Sequence, residues 1–199
     1  MREDREDAIV AAAYSLLEQQ GFSCTTMQAI ARQARASMET LYRWYGDKTG
    51  LFRALIARNT AEVAAVLDKS RAAQDVNALE RAGTVLLTML LGDRAVALNR
   101  AAAADAGGTL GTALAQGGRD ALWPRLTALV QSELDAGRLV APDSERLTDL
   151  WLTLLIGDLQ IRRVTGAMPP LPPETIARRS AEARTTLSRL YAPSSSAYL

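Results

Sequence analysis

The chain has 199 residues, 48% apolar and 23% charged, a balance that suits one or two globular domains with a real core. It has no histidine and a single cysteine, Cys24. That excludes Ser-His-Asp and Cys-His catalysis, histidine-ligated metals, internal disulfides and cysteine zinc clusters. The net charge of +1 gives no global signal for nucleic acid.

No window of about 18 residues is apolar and uncharged, so no transmembrane helix is expected. The charged start, Met1-Arg2-Glu3-Asp4-Arg5-Glu6-Asp7, lacks the apolar core of a signal peptide, and the cytoplasm is the expected compartment. No cofactor or metal is expected. Carboxylate-only metal sites and Asp/Glu acid–base pairs stay open, with nothing to single one out.

The chain reads as all-α, with about nine helices. Helix one is expected over 3–20, with an acidic start and an apolar face of Ile9, Ala12, Ala13, Leu16 and Leu17; Gly21 ends it. Helix two starts at Thr25, which with Gln28 fits a capping box, and turns Met27, Ile30, Ala31 and Ala34 inward. After a short turn at Arg35-Ala36, Ser37 caps a two-turn helix to Tyr45. Leu41 and Tyr45, four apart, face inward; Met38, Glu39, Thr40, Tyr42, Arg43 and Trp44 fall on the flanks and outer face. Helix four begins near Asp47 or Lys48 and carries Leu51, Phe52, Leu55, Ile56 and Val63 on one stripe.

Further helices are expected over 76–91, 95–106, 110–115 and 121–136, with glycines at 107–108, 117–118 and 137 as stops. A strongly apolar helix follows Pro142-Asp143 and reaches Val164. The proline-rich stretch 166–173 cannot be helical. A last helix covers 174–191, and residues 193–199 read as a flexible tail.

Charge is unevenly placed. Residues 1–24 hold two basic and five acidic side chains, whereas residues 25–58 hold six basic and two acidic. A basic segment inside a neutral protein is a candidate phosphate-binding patch, although such runs are commonly plain solvated faces. Helices two and three, with their short turn, have helix-turn-helix proportions, a motif that lays its second helix in the DNA major groove.

The run Thr25-Thr26-Met27-Gln28-Ala29-Ile30-Ala31, then Ala34-Arg35-Ala36-Ser37, then Thr40-Leu41-Tyr42-Arg43-Trp44-Tyr45-Gly46-Asp47-Lys48-Thr49-Gly50-Leu51-Phe52, resembles the TetR/AcrR family of bacterial transcriptional regulators. The resemblance covers roughly residues 5 to 55. It implies DNA-backbone contacts at Thr26, Ser37, Tyr42, Trp44 and Lys48, and base contacts at Gln28, Met38, Glu39, Thr40 and Arg43. The chemistry agrees: Arg to guanine is the commonest specific contact, and Thr40 has a methyl to offer a thymine. The sequence departs from the usual family pattern at Glu39, Met38 and Trp44. The alternative for the outer face is an ordinary solvated or partly buried surface, with Lys48 a charge near a cap. Cys24 reads as an inert small residue, since no resolving cysteine exists.

The resemblance implies that residues 1–48 bind DNA and residues 49–192 dimerise and bind a small effector. The turn Gly137-Arg138-Leu139, followed by a long apolar helix and a closing helix, resembles the AefR-like subgroup. Candidate effector residues are Met89, Asn99, Trp123, Leu126, Trp151, Leu155 and Asp158. Candidate dimer-interface residues are Leu147, Trp151, Leu154, Gly157, Ile161, Ala183 and Leu187, with Gly157 expected to allow close helix approach. The expected function is a dimeric, non-enzymatic repressor that binds a palindromic operator and is released by a small molecule. Two alternatives stay open: a helical adaptor that has lost DNA binding, to which Glu39 points, and a carboxylate enzyme using Asp105 or Asp158.

Overall fold

The computed structural model describes residues 2–73 and 75–193. Among them are eleven α-helices: α1 (Arg2–Cys24), α2 (Met27–Gln33), α3 (Met38–Tyr45), α4 (Lys48–Ala72), α5 (Ala78–Leu91), α6 (Asp93–Ala103), α7 (Thr109–Ala115), α8 (Ala121–Asp135), α9 (Ser144–Ile156), α10 (Leu159–Thr165) and α11 (Pro173–Leu190). They pack as two units. One holds the described residues of Met1–Thr60 and Gly92–Ala121; the other holds Ala61–Leu91 and Leu122–Leu199. Residues 194–199, most of the expected tail, lie outside the described residues.

The first unit is built on α1. Ile9, Ala13, Leu16 and Leu17 recur at helical spacing and bury against Ile30, Leu41, Leu51, Phe52 and Leu55. Gly21, at φ 73 and ψ 173, breaks the helix where its sequence places a stop. The Tyr14 hydroxyl donates to the Leu55 carbonyl at 3.1 Å. Burial pushes this phenol up to about 12, so it stays a neutral donor. The segment 92–121 belongs here too, because α6 packs on α1 and α7 on α6. The packing unit is thus larger than residues 1–48. Asp105, an acid–base candidate, accepts from the Gly107 and Leu110 amides and so organises the start of α7. The glycine pair 117–118 does not stop a helix. It lies in a π-helical turn, Gln116–Asp120, that runs on into α8.

The second unit has a core of Leu87, Leu129, Val130, Trp151, Leu155 and Leu187. Here α5 and α11 approach closely. The Ser180 hydroxyl donates to the Glu80 carbonyl at 2.7 Å, and a Cβ on Gly83 would fall 2.3 Å from Ser180 Oγ. The Gly137-Arg138-Leu139 turn has a physical basis. Gly137 takes φ 66, Leu139 is buried, and Arg138 forks onto the buried Glu133 carboxylate at 2.9 and 2.8 Å. The expected continuous helix to Val164 is two helices, because Gly157 caps α9 at φ 50. Gly157 itself is exposed on the single chain, and a Cβ there would meet the Arg179 guanidinium at 3.2 Å.

Four interface candidates, Leu147, Trp151, Ala183 and Leu187, are core residues of the single chain. An apolar helix face says that something covers it; here the cover is the chain's own α5, α8 and α11. Ile161, 59% exposed, the exposed Gly157 and the half-buried Leu154 remain at the surface. α10 also buries a charge. Arg163, 6% exposed, donates to Leu91 O at 3.1 Å and Met168 O at 3.3 Å, and so closes the C-terminal end of α5. Arg163→Ala strands those carbonyls and is expected to cost roughly 2–3 kcal/mol. Chemical denaturation checks this; a loss under 0.5 kcal/mol would contradict it.

Candidate nucleic-acid interface

The turn between α2 and α3 follows from local hydrogen bonding. The Arg35 amide donates to Arg32 O and the Ala36 amide to Ala31 O, which closes α2 in a left-handed cap. Arg35 supplies the left-handed residue at φ 51, a conformation that glycine adopts at lower cost. α2 starts one residue later than its sequence suggests. Thr26, not Thr25, is the N-cap, and its Oγ1 accepts from the Ala29 amide at 3.1 Å. Thr25 is buried and donates to Gly21 O, so the expected capping box with Gln28 does not form. Ser37 caps α3 as expected, accepting from the Thr40 amide at 3.1 Å.

α3 is two turns long and splits by face. Leu41 is fully buried, and Met38, Trp44 and Tyr45 are half-buried against the core. The Tyr45 phenol is raised above its ordinary value by burial and by the nearby Glu6 carboxylate. Glu39, Tyr42 and Arg43, at i, i+3 and i+4, point outward. The Tyr42 residue is 52% exposed, and the Glu39 and Arg43 side chains are 84% and 62% exposed. Thr26, Gln28 and Ser37 are exposed beside them.

Two expectations change. Thr40 is 5% exposed and its hydroxyl lies 2.9 Å from Ser37 Oγ, so burial removes it as a thymine contact. Met38 is turned largely into the core, which leaves it little to offer a base edge. Glu39 and Arg43 pair at 3.6 Å. An exposed i,i+4 pair is worth about 0.3–0.5 kcal/mol, whereas a bidentate Arg–guanine contact is worth about 1–3 kcal/mol of discrimination. The Glu39 pair is therefore too weak to hold the guanidinium against a stronger partner.

Lys48 is not a free cation over solvent. Its Nζ donates to Phe22 O at 2.8 Å and Thr25 O at 2.9 Å, and lies 4.0 Å from the Phe22 ring centroid. Burial holds the ammonium below the usual lysine value. The lysine thus ties the start of α4 to the joint between α1 and α2. Gly50 completes the joint: a Cβ there would fall 1.9 Å from the Tyr45 carbonyl oxygen. α3 and α4 can meet so closely only at glycine.

The effector candidates do not form one cluster. Leu126, Trp151 and Leu155 are packed in the core of the second unit, with Met89 half-buried against it. The buried Trp151 Nε1 has no hydrogen-bond partner. Trp123 is half-buried. Asn99 lies in the first unit and donates to Ala95 O at 2.8 Å. Asp158 is exposed and pairs with Arg162 at 3.8 Å. Sequence reasoning missed Arg2 and Arg5, whose helix places them beside Arg43 and Trp44 around an open cleft of about 610 Å³.

Comparison with known proteins bears on these observations. A family model described as "Bacterial regulatory proteins, tetR family" matches residues 9–55, and one described as "AefR-like transcriptional repressor, C-terminal domain" matches residues 77–193. An uncharacterized HTH-type transcriptional regulator YdeS of Bacillus subtilis (strain 168) is 31% identical over 74 residues, 37% of each chain. The HTH-type transcriptional regulator HbdR of Aromatoleum sp. (strain CIB) is 41% identical over 46 residues, 23% of this chain and 20% of that one. The chain therefore spans well under half the length of the curated relatives it matches. Among solved structures, a TetR transcriptional regulator from Agrobacterium tumefaciens is 28% identical, covers 94% of both chains and superposes with a TM-score of 0.75.

Two variants test the joint. Gly50→Ala must push α3 away from α4 and is expected to destabilise the chain by about 2–3 kcal/mol. Lys48→Met keeps the stem but loses both carbonyl bonds, with an expected loss of about 2 kcal/mol. Thermal melts followed by circular dichroism check both; unchanged melting would contradict the joint.

Proposed function

The chain belongs to the TetR family of bacterial DNA-binding transcriptional regulators, and from that premise we propose that it is a repressor, bound to a palindromic operator as a dimer and released by a small-molecule effector. The observation that carries this reading is the outward row of Glu39, Tyr42 and Arg43 on α3, whose opposite face is anchored in the core by Leu41. Arg43 reads a base, with guanine the best partner for its guanidinium. Thr26, Ser37 and Tyr42 carry hydroxyls, and Trp44 an indole N–H, for backbone phosphates that set the register. Gln28 borders the same surface. Two-fold symmetry of the dimer would match two half-sites about one helical turn apart.

Residues 49–192 supply dimerisation and effector binding in this reading. Leu154, Gly157 and Ile161 are the interface candidates that remain at the surface, and the partnerless N–H of Trp151 supports a polar group on the effector. The effector acts by favouring a dimer with wrongly spaced recognition helices, a coupling typically of about 1–3 kcal/mol. Among the described residues no helix is long and apolar enough to cross a membrane. The proposed site of action is the cytoplasm, where the operator is.

The test uses a duplex recovered from a random pool. The wild-type chain is expected to bind it with two protomers per site. Arg43→Ala is expected to reduce discrimination against a single-base change by about tenfold or more, with little change in salt dependence. Equal discrimination by wild type and variant would contradict the assignment.

A further inference from the structure

The first 24 residues carry an acidic excess, yet two of those acids are engaged by neighbouring groups. Arg2 and Arg5 are three apart and share a side of α1. Asp7 pairs with Arg58, and Glu6 lies close enough to Tyr45 and Arg58 to act on both. Asp7 is thus engaged on α4, and Glu6, on the same side of α1 as the arginines, is taken up at Tyr45 and Arg58. The arginines themselves turn to α3: the Arg2 guanidinium sits over the Trp44 ring, 5.5 Å from its centroid, and Arg2, Arg5, Arg43 and Trp44 line one open cleft. Three guanidinium groups converge there, one of them from the proposed base-reading residue. The ring also restrains Arg2, which lowers the entropy lost when its fork is used.

We propose that this cleft receives the sugar-phosphate backbone flanking the groove entered by α3, with Arg2 and Arg5 each holding a phosphate. This rests on the DNA-binding reading and extends the surface beyond the helix-turn-helix to the first turn of α1. The occupant is duplex DNA read without regard to sequence, because guanidinium–phosphate forks position a duplex and carry no base information. Trp44 then acts as the platform that aims Arg2.

The experiment compares the full-length chain with Arg2→Ala/Arg5→Ala on two duplexes, the one recovered from a random pool and a scrambled one, across a potassium chloride series. Each phosphate contact contributes about 0.9 to the slope of log affinity against log salt. The double variant is expected to lower that slope by about 1.8 per bound protomer, about 3.6 for a bound dimer, on both duplexes and to leave their affinity ratio unchanged. Arg2→Lys/Arg5→Lys is expected to keep most of the slope. An unchanged slope in the alanine variant, or a changed affinity ratio with the slope kept, would overturn the proposal. Both arginines are exposed, so melting should match wild type; if it does not, the single Arg5→Gln variant carries the same comparison. Should the wild-type chain bind neither duplex, the regulator reading falls and this proposal with it. Wild-type binding with an insensitive double variant sinks the proposal alone.

Discussion

The ammonium of Lys48, shared between the carbonyls of Phe22 and Thr25, is the interaction on which the rest of the first unit depends. α3 has only eight residues, too few to be stable as an isolated helix. Its direction must come from what grips its ends. Ser37 holds the first turn, Leu41 sinks into the core, and the Tyr45 carbonyl sits against Gly50. Lys48, two residues before that glycine, ties the same corner to the end of α1. α1 in turn rests on α6 and on the Tyr14–Leu55 hydrogen bond. The outward row on α3 is thus presented by a braced corner, as a reader of base edges requires.

The energies are ordered to suit that role. Interactions that set the fold are buried or doubly bonded: Lys48 with two carbonyls, Arg138 with Glu133, Arg163 with two more carbonyls. Those on the outward face are weak and exposed, such as the 3.6 Å pair of Glu39 and Arg43. A phosphate or guanine can take over the weak partners at little cost, while the strong ones keep the surface in place. Glu39, which keeps an adaptor reading open on sequence alone, has a local role as the resting partner of Arg43. Asp105 and Asp158, the acid–base candidates, respectively cap a helix start and pair with a neighbouring arginine at the surface.

Much of the fold was legible because helical period and stop residues act locally. Gly21, Ser37 and Gly137 end or start helices where their chemistry says they should. Legibility fails where an answer depends on what lies across a gap. Thr25 and Thr26 are both credible caps, and only the reach of Thr25 back to Gly21 O decides between them. Trp151 and Leu187 lie on apolar faces, and only packing shows that the chain covers those faces itself. Counting charge along the chain hid Arg2 and Arg5 within an acidic segment, because a helix separates neighbours that a tally merges. Lys48 was recognisable as important, but its inward direction has no local signature. The outward set of Glu39, Tyr42 and Arg43 was recoverable from spacing alone; Thr40 failed because its hydroxyl turns back to the Ser37 cap.

The central claim is that the outward face of α3 reads duplex sequence. Selection of bound sequences from a random duplex pool, run at two salt concentrations with the wild-type chain and Arg43→Ala, tests it most directly. The account predicts enrichment of an inverted repeat by the wild-type chain. Arg43→Ala should keep salt-sensitive binding but lose the preference at one position in each half-site. A well-folded wild-type chain that enriches nothing, or an Arg43→Ala variant that enriches the same repeat with the same bias, would contradict it.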